Sequence, residues 1–181
     1  MVELYWIPLG AGGHVVRRVG HIYEALHGSR RALYHAALVV ELDGERYVVE
    51  LAPSPDANER SRGVVATGAV GSRTLAHLRL FRYEVRCWRG GTIPDLRYAV
   101  GGPRQLPADA RRVLDCVASA PTPVWGRDEL HTGEMWNSNS VVAYVLAKAG
   151  VDAEDLAPPG NGHAPGWRAG LRVAGIPQPV P

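Results

Sequence analysis

The chain has little that would tie it to nucleic acid or to a membrane. Among its 20 basic side chains there is one lysine, Lys148, so that 19 are arginine, and the net charge is only +2. So small a charge leaves no electrostatic footprint for a phosphate backbone. The arginines are scattered, which reads as a solvated surface. Cysteine is scarce as well. Cys87 and Cys116 have no metal-ligand spacing and read as buried, apolar-type residues. No apolar run reaches the length of a membrane span. Met1-Val-Glu-Leu-Tyr5 lacks the basic-then-apolar pattern of a secretory signal. These absences predict a cytoplasmic protein with no nucleic-acid partner and no membrane span. What is present is ordinary in bulk: 181 residues, 46% of them apolar, enough for one domain with a sizeable core.

The most informative stretch is 34–52, in which two β-rich arms flank Asp43-Gly44. That dipeptide suits the positive φ angles of a two-residue hairpin turn. If Leu42 pairs with Glu45, Val39 faces Val48, Ala37 faces Glu50 and His35 faces Ala52. Side chains alternate between faces along a strand, so His35 and Glu50 share one face on adjacent strands. Their diagonal spacing lets long side chains meet. A histidine and a carboxylate held together in this way are two members of a nucleophilic site.

Elsewhere the patterns predict a strand over 2–9 and a helix over 15–27, ended by Gly28. His14, His21 and His27 lie on or beside that helix, without the carboxylate or cysteine company of a metal site. Gly10, Gly12 and Gly13 fit neither the dinucleotide nor the P-loop fingerprint. Further strands are expected over 62–70 and 75–88. In the second, Phe81, Tyr83, Val85 and Cys87 alternate with Arg82, Glu84, Arg86 and Trp88, giving one buried face and one wetter face. Residues 107–119 read as a helix with Pro107 in its first turn. Residues 137–149 read as a second helix, apolar nearly all round and closed by Gly150.

The start of that second helix supplies the third member. Asn137-Ser-Asn-Ser140 places Asn137 or Ser138 at the N-cap. Four small polar residues in a row exceed what one cap needs. A helix N-terminus also offers free N–H groups and a partial positive charge, where a nucleophile and an oxyanion hole are readily built.

Taken together, His35 in Tyr34-His-Ala-Ala-Leu38, then Val48-Val-Glu-Leu-Ala-Pro53, then Asn137-Ser-Asn-Ser-Val-Val142 resemble the circularly permuted papain-like superfamily. That group includes the permuted NlpC-type peptidases and the lecithin:retinol acyltransferase relatives. The resemblance spans roughly residues 33–150 and rests on three short motifs in the permuted order, histidine strand first and nucleophile helix last. It implies that His35 is the base, that Glu50 takes the third polar position and that Ser138 takes the nucleophile position, with Asn137 before it. Ser138 departs from the family, whose nucleophile is a cysteine stored as a thiolate. Serine instead needs His35 as a general base at the moment of attack, with Glu50 orienting the imidazole.

The resemblance implies an α+β fold in which an antiparallel sheet of about five strands packs on the nucleophile-bearing helix. A single domain over 1–181 is expected: an N-terminal strand and helix in 1–33, a core in 34–150, and a wrapping tail in 151–181. The expected activity is acyl transfer, hydrolysing or transferring an amide or ester of a small molecule, lipid or peptide. The alternative is a catalytically inactive papain-like fold that binds peptide or lipid. No metal or cofactor is implied. Asn139 and Ser140 are expected to donate to an oxyanion or to finish the cap. The loop before the helix is the expected specificity element. There Arg127 is a candidate clamp for a carboxylate or phosphate, or else a partner of Asp128 or Glu134. Trp125 and Trp136 either pack over the helix or stack on substrate.

Overall fold

The structure is a computed structural model, and it describes residues 1–9, 32–54, 60–93 and 95–175. The helix expected over 15–27, its three histidines and the Gly10–13 stretch lie outside the described residues. So do most of the turn-rich loop after the hairpin and the Pro-rich end.

Six strands form one antiparallel sheet. They are β1 (Val2–Pro8), β2 (Tyr34–Leu42), β3 (Glu45–Pro53), β4 (Val64–Ala69), β5 (Arg82–Arg89) and β6 (Arg104–Leu106). Their spatial order is β4-β5-β3-β2-β1-β6. Among the described residues there are three α-helices, α1 (Ala110–Val117), α2 (Ser138–Lys148) and α3 (Trp167–Gly175). The protein is therefore α+β, with one strand more than expected. The extra strand, β6, has only three residues and adds to the edge of β1.

The hairpin has the register that the Asp-Gly turn implies. Leu42 pairs with Glu45 and Val39 with Val48, and Asp43 and Gly44 take φ values of 53° and 78°. Only glycine, and less readily Asn or Asp, adopts such angles at low cost.

Alternation along the strands then sorts two cores. On one face Leu4, Trp6, Ala36, Leu38, Val49, Leu51, Tyr83 and Val85 pack against the helices. On the other a smaller cluster forms from Ile7, Ala37, Val39 and Val48, covered by Ile93, Leu96 and Ala99. Because both faces are covered, the middle of β2 is one continuous apolar run.

Two expected elements differ in extent. The strand expected over 75–88 begins only at Arg82; two short 3-10 turns, Arg73–Leu75 and Arg79–Phe81, precede it. The helix expected from Pro107 starts at Ala110, because Asp109 caps it by accepting the Arg112 N–H at 3.0 Å. The tail carries α3, which lies against α2. Gly170 makes the close approach possible, since a Cβ there would sit 2.1 Å from the Ser140 carbonyl oxygen. Among the described residues no helix is long and apolar enough to cross a membrane.

Candidate active site

Ser138 is the first residue of α2, and His35 is the second residue of β2. Their side chains meet: Ser138 Oγ lies 2.7 Å from His35 Nδ1, across 103 positions of sequence. By alternation His35 belongs with Ala37 and Val39 on the second sheet face, whereas α2 packs on the first. The contact arises where the β2–β3 ladder gives out. Cross-strand pairs run from Leu42↔Glu45 only as far as Leu38↔Val49. Nearer the start of β2 the helix takes the place of the neighbouring strand. Asn139 Oδ1 accepts the Ala36 N–H at 2.7 Å, and Asn139 Nδ2 donates to the Tyr34 carbonyl at 3.0 Å. These two bonds bracket His35 and set Ser138 beside it.

The other polar residues of the helix start are spent on structure. Asn137 Oδ1 accepts the N–H groups of Asn139 and Ser140, at 2.8 and 3.3 Å, and its Nδ2 donates to the Pro165 carbonyl. Ser140 Oγ accepts the Asn137 N–H at 3.0 Å and donates to the Gly166 carbonyl at 2.8 Å. This is a reciprocal capping box, and it commits both side chains. The Ser138 N–H is different, for it has no partner among the described residues. It stands at the positive end of the helix, in the same residue as the Oγ that meets His35. The side chains of Asn137, Asn139 and Ser140 are thus committed to the local fold, and the Ser138 amide is left without a partner among the described residues.

The His35 ring keeps some contact with the surface but is densely surrounded. Burial lowers its pKa from 6.5 to about 4, against the opposing pull of the Asp95 carboxylate. At neutral pH His35 is an uncharged imidazole. Nδ1 is then free to accept the Ser138 hydroxyl proton, provided that the ring proton sits on Nε2.

Glu50 does share the His35 face, but its side chain pairs with Arg86, whose Nη1 donates to Glu50 Oε1 at 2.9 Å. No bond joins Glu50 to His35. This corrects the expectation that Glu50 orients the imidazole. Glu50 lies opposite Arg86 in the β3–β5 ladder, so the arginine reaches it first. Arg86 Nε also bonds Glu84, at 2.8 Å. Glu84 is fully buried and takes further bonds from Arg62 and Ser54. Burial works against the charge of Glu84, but the bonds from Arg62, Ser54 and Arg86 outweigh it and hold its pKa below the usual value. Burial raises that of Glu50, partly offset by Arg86. The face of β5 expected to be wetter is thus a closed ionic network.

The loop before α2 is likewise internally braced. The Asp128 carboxylate accepts the N–H groups of Thr132 and Gly133 at 2.6 and 2.8 Å. Arg127 donates to the Gly71 carbonyl, and neither Asp128 nor Glu134 is its partner. Trp125 meets Tyr83 edge-to-face at 6.0 Å, and Trp136 is buried in the main core. Both tryptophans pack. Two of the clefts lie among described residues. One, of about 330 Å³, lies past the far end of α2 beside Gly150, Val151 and Asp155. The other is bounded by Arg127, Asp128, Glu129 and His131. Neither is lined by Ser138 or His35.

Among the described residues, no three His, Cys, Asp or Glu side chains come together as metal ligands. Cys87 and Cys116 are unbridged and half-buried, and burial pushes both thiols up, away from the reactive thiolate. The chain matches no protein-family model, no curated protein and no solved structure.

Proposed function

We propose that the protein is an acyl-transfer enzyme, an amide or ester hydrolase or acyltransferase, built as a permuted papain-like domain with serine in place of cysteine. The observation that carries this reading is the 2.7 Å contact between Ser138 Oγ and His35 Nδ1. In the proposed reaction Ser138 Oγ attacks the substrate carbonyl carbon as His35 Nδ1 takes its proton. The Ser138 N–H and the helix start bind the oxyanion. The imidazolium then returns the proton to the leaving amine or alcohol, and the acyl-enzyme passes to water or to an acceptor. Substrates are small molecules, lipids or peptides that carry an amide or ester.

The electrostatics suit an oxygen nucleophile. A stored thiolate needs a positively charged histidine beside it. Burial here holds His35 neutral down to about pH 4, which suits a base that works only during attack. A second reading, a catalytically silent fold that binds peptide or lipid, is favoured by one observation: Ser138 is buried in a helix start whose neighbours Asn137 and Ser140 are committed to capping.

The test is exposure to a fluorophosphonate followed by peptide mapping. The enzyme reading expects one adduct on Ser138, absent from Ser138→Ala and strongly slowed in His35→Ala. An unlabelled parent protein whose Ser138→Cys variant is alkylated at residue 138 by iodoacetamide supports the silent fold.

A further inference from the structure

Glu50 is tied to Arg86, which leaves the second nitrogen of His35 to be accounted for. Nε2 has no hydrogen-bond partner among the described residues. The segment that faces it follows β5. Ile7 lies directly across the ladder from His35, and Ala37 is the next residue along on the same face. Both pack against Ile93, with Leu96 and Ala99 on the same cluster. The Val100 N–H bonds the Trp6 carbonyl at 2.9 Å. These contacts lay the segment over β1 and β2 at the His35 end. Asp95 opens its short turn, Leu96–Tyr98, and its backbone carbonyl accepts the Tyr98 N–H at 2.9 Å.

The Asp95 side chain caps nothing in that turn. Its carboxylate has no hydrogen-bond or ion-pair partner among the described residues, although it is partly buried. Asp95 thus belongs to the turn laid over the sheet face that His35 shares with Ala37 and Val39. Its charge is the one that acts on the imidazole, favouring the protonated ring against the effect of burial. Other titratable or charged groups on neighbouring elements among the described residues include Tyr5, packed on the same cluster, Arg97 and Tyr98 on the turn itself, Glu50, paired with Arg86, and His163, whose backbone brackets Leu33.

We propose that Asp95 is the positioning residue for His35, completing a Ser138–His35–Asp95 set drawn from a helix start, a strand start and the turn over the opposite sheet face. The proposal rests on the reading of Ser138 as nucleophile. When the Ser138 proton moves to Nδ1, the positive charge that forms on the ring is matched by Asp95, and the Nε2–H is held toward it. No bond to Asp95 forms or breaks. No proton passes to Asp95, and the proton on Nδ1 goes to the leaving group.

The test compares the parent protein with Asp95→Asn and Asp95→Glu in two measurements. One is the rate of phosphonylation at Ser138 at pH 7.5. The other is the His35 imidazole titration midpoint, followed by NMR. In Asp95→Asn the rate is expected to fall at least about tenfold and the midpoint to move below the parental one. Asp95→Glu is expected to recover part of both. An unmoved midpoint in Asp95→Asn overturns the proposal, whether or not the rate falls, because a rate loss alone marks a structural role. A moved midpoint with a full rate also overturns it. If the parent is never phosphonylated but the midpoint still moves, the Asp95–His35 coupling stands and the nucleophile reading fails.

Discussion

The side-chain amide of Asn139 is spliced into the backbone of β2 beside Ala36, accepting its N–H at 2.7 Å while donating to the Tyr34 carbonyl at 3.0 Å. A third bond, from Nδ2 to the Pro165 carbonyl at 2.9 Å, ties in the segment that leads to α3. One buried side chain thereby fixes the helix start to the strand on either side of His35. Asn139→Ala takes these partners from the Ala36 N–H and the Tyr34 carbonyl, while the Pro165 carbonyl keeps the Asn137 side chain. Each orphaned buried group costs roughly 1–3 kcal/mol, so urea unfolding should show a loss of at least about 2 kcal/mol. The variant is expected to lose phosphonylation at Ser138 even below its unfolding range, since the 2.7 Å contact depends on this splice.

Glu50 serves as the control. It shares the His35 face but is bound to Arg86, so Glu50→Gln should change the phosphonylation rate by less than about threefold. Its His35 titration should match the parent. A rate loss as large as that of His35→Ala would return Glu50 to the site.

Glu84 carries the charge of the buried network. It is fully buried and bonded by Arg62, Arg86 and Ser54. Glu84→Ala removes the buried carboxylate that Arg62, Arg86 and Ser54 all bond, at a cost of about 3–5 kcal/mol, measurable in a urea melt. Because its pKa is lowered on folding, the stability that it contributes is present above the ordinary carboxylate range. That contribution is lost as pH falls through the folded value. Glu84→Gln should flatten this acid-side loss.

The hairpin and the helix start were legible because each follows from a local rule, whereas the meeting of Ser138 with His35, 103 residues apart, was expected only from the resemblance. Asp43-Gly44 fixes the register, alternation fixes the face, and the polar run at Asn137 marks a helix start. The partner of Glu50 was not legible, because Arg86 arrives from a strand 36 residues later and sequence does not state the order of strands in a sheet. Asp95 was hidden for a different reason. It sits on a turn without periodic pattern, and the place of that turn over the second sheet face is set by Ile93, Leu96 and Ala99. The α3 helix did leave a signal. Trp167, Gly170 and Val173 recur at helical spacing and are buried, but the surrounding glycines and prolines made the stretch read as a tail. Sequence left the N-cap open between Asn137 and Ser138, and Ser140 open between an oxyanion donor and the cap; in the structure Asn137 is the cap and Ser140 completes the capping box.

The most direct test of the central claim, that Ser138 Oγ is a nucleophile served by neutral His35, is the pH dependence of phosphonylation. His35 binds its proton with a pKa lowered from 6.5 to about 4, and only the neutral ring accepts the hydroxyl proton. Brief pulses of fluorophosphonate across pH 3.5–8 (an order-of-magnitude window spanning roughly both values) should give a single adduct on Ser138. Its rate should rise through a midpoint near 4 and be flat by neutrality. An adduct that forms equally fast in His35→Ala, or no adduct at any pH, would contradict the account.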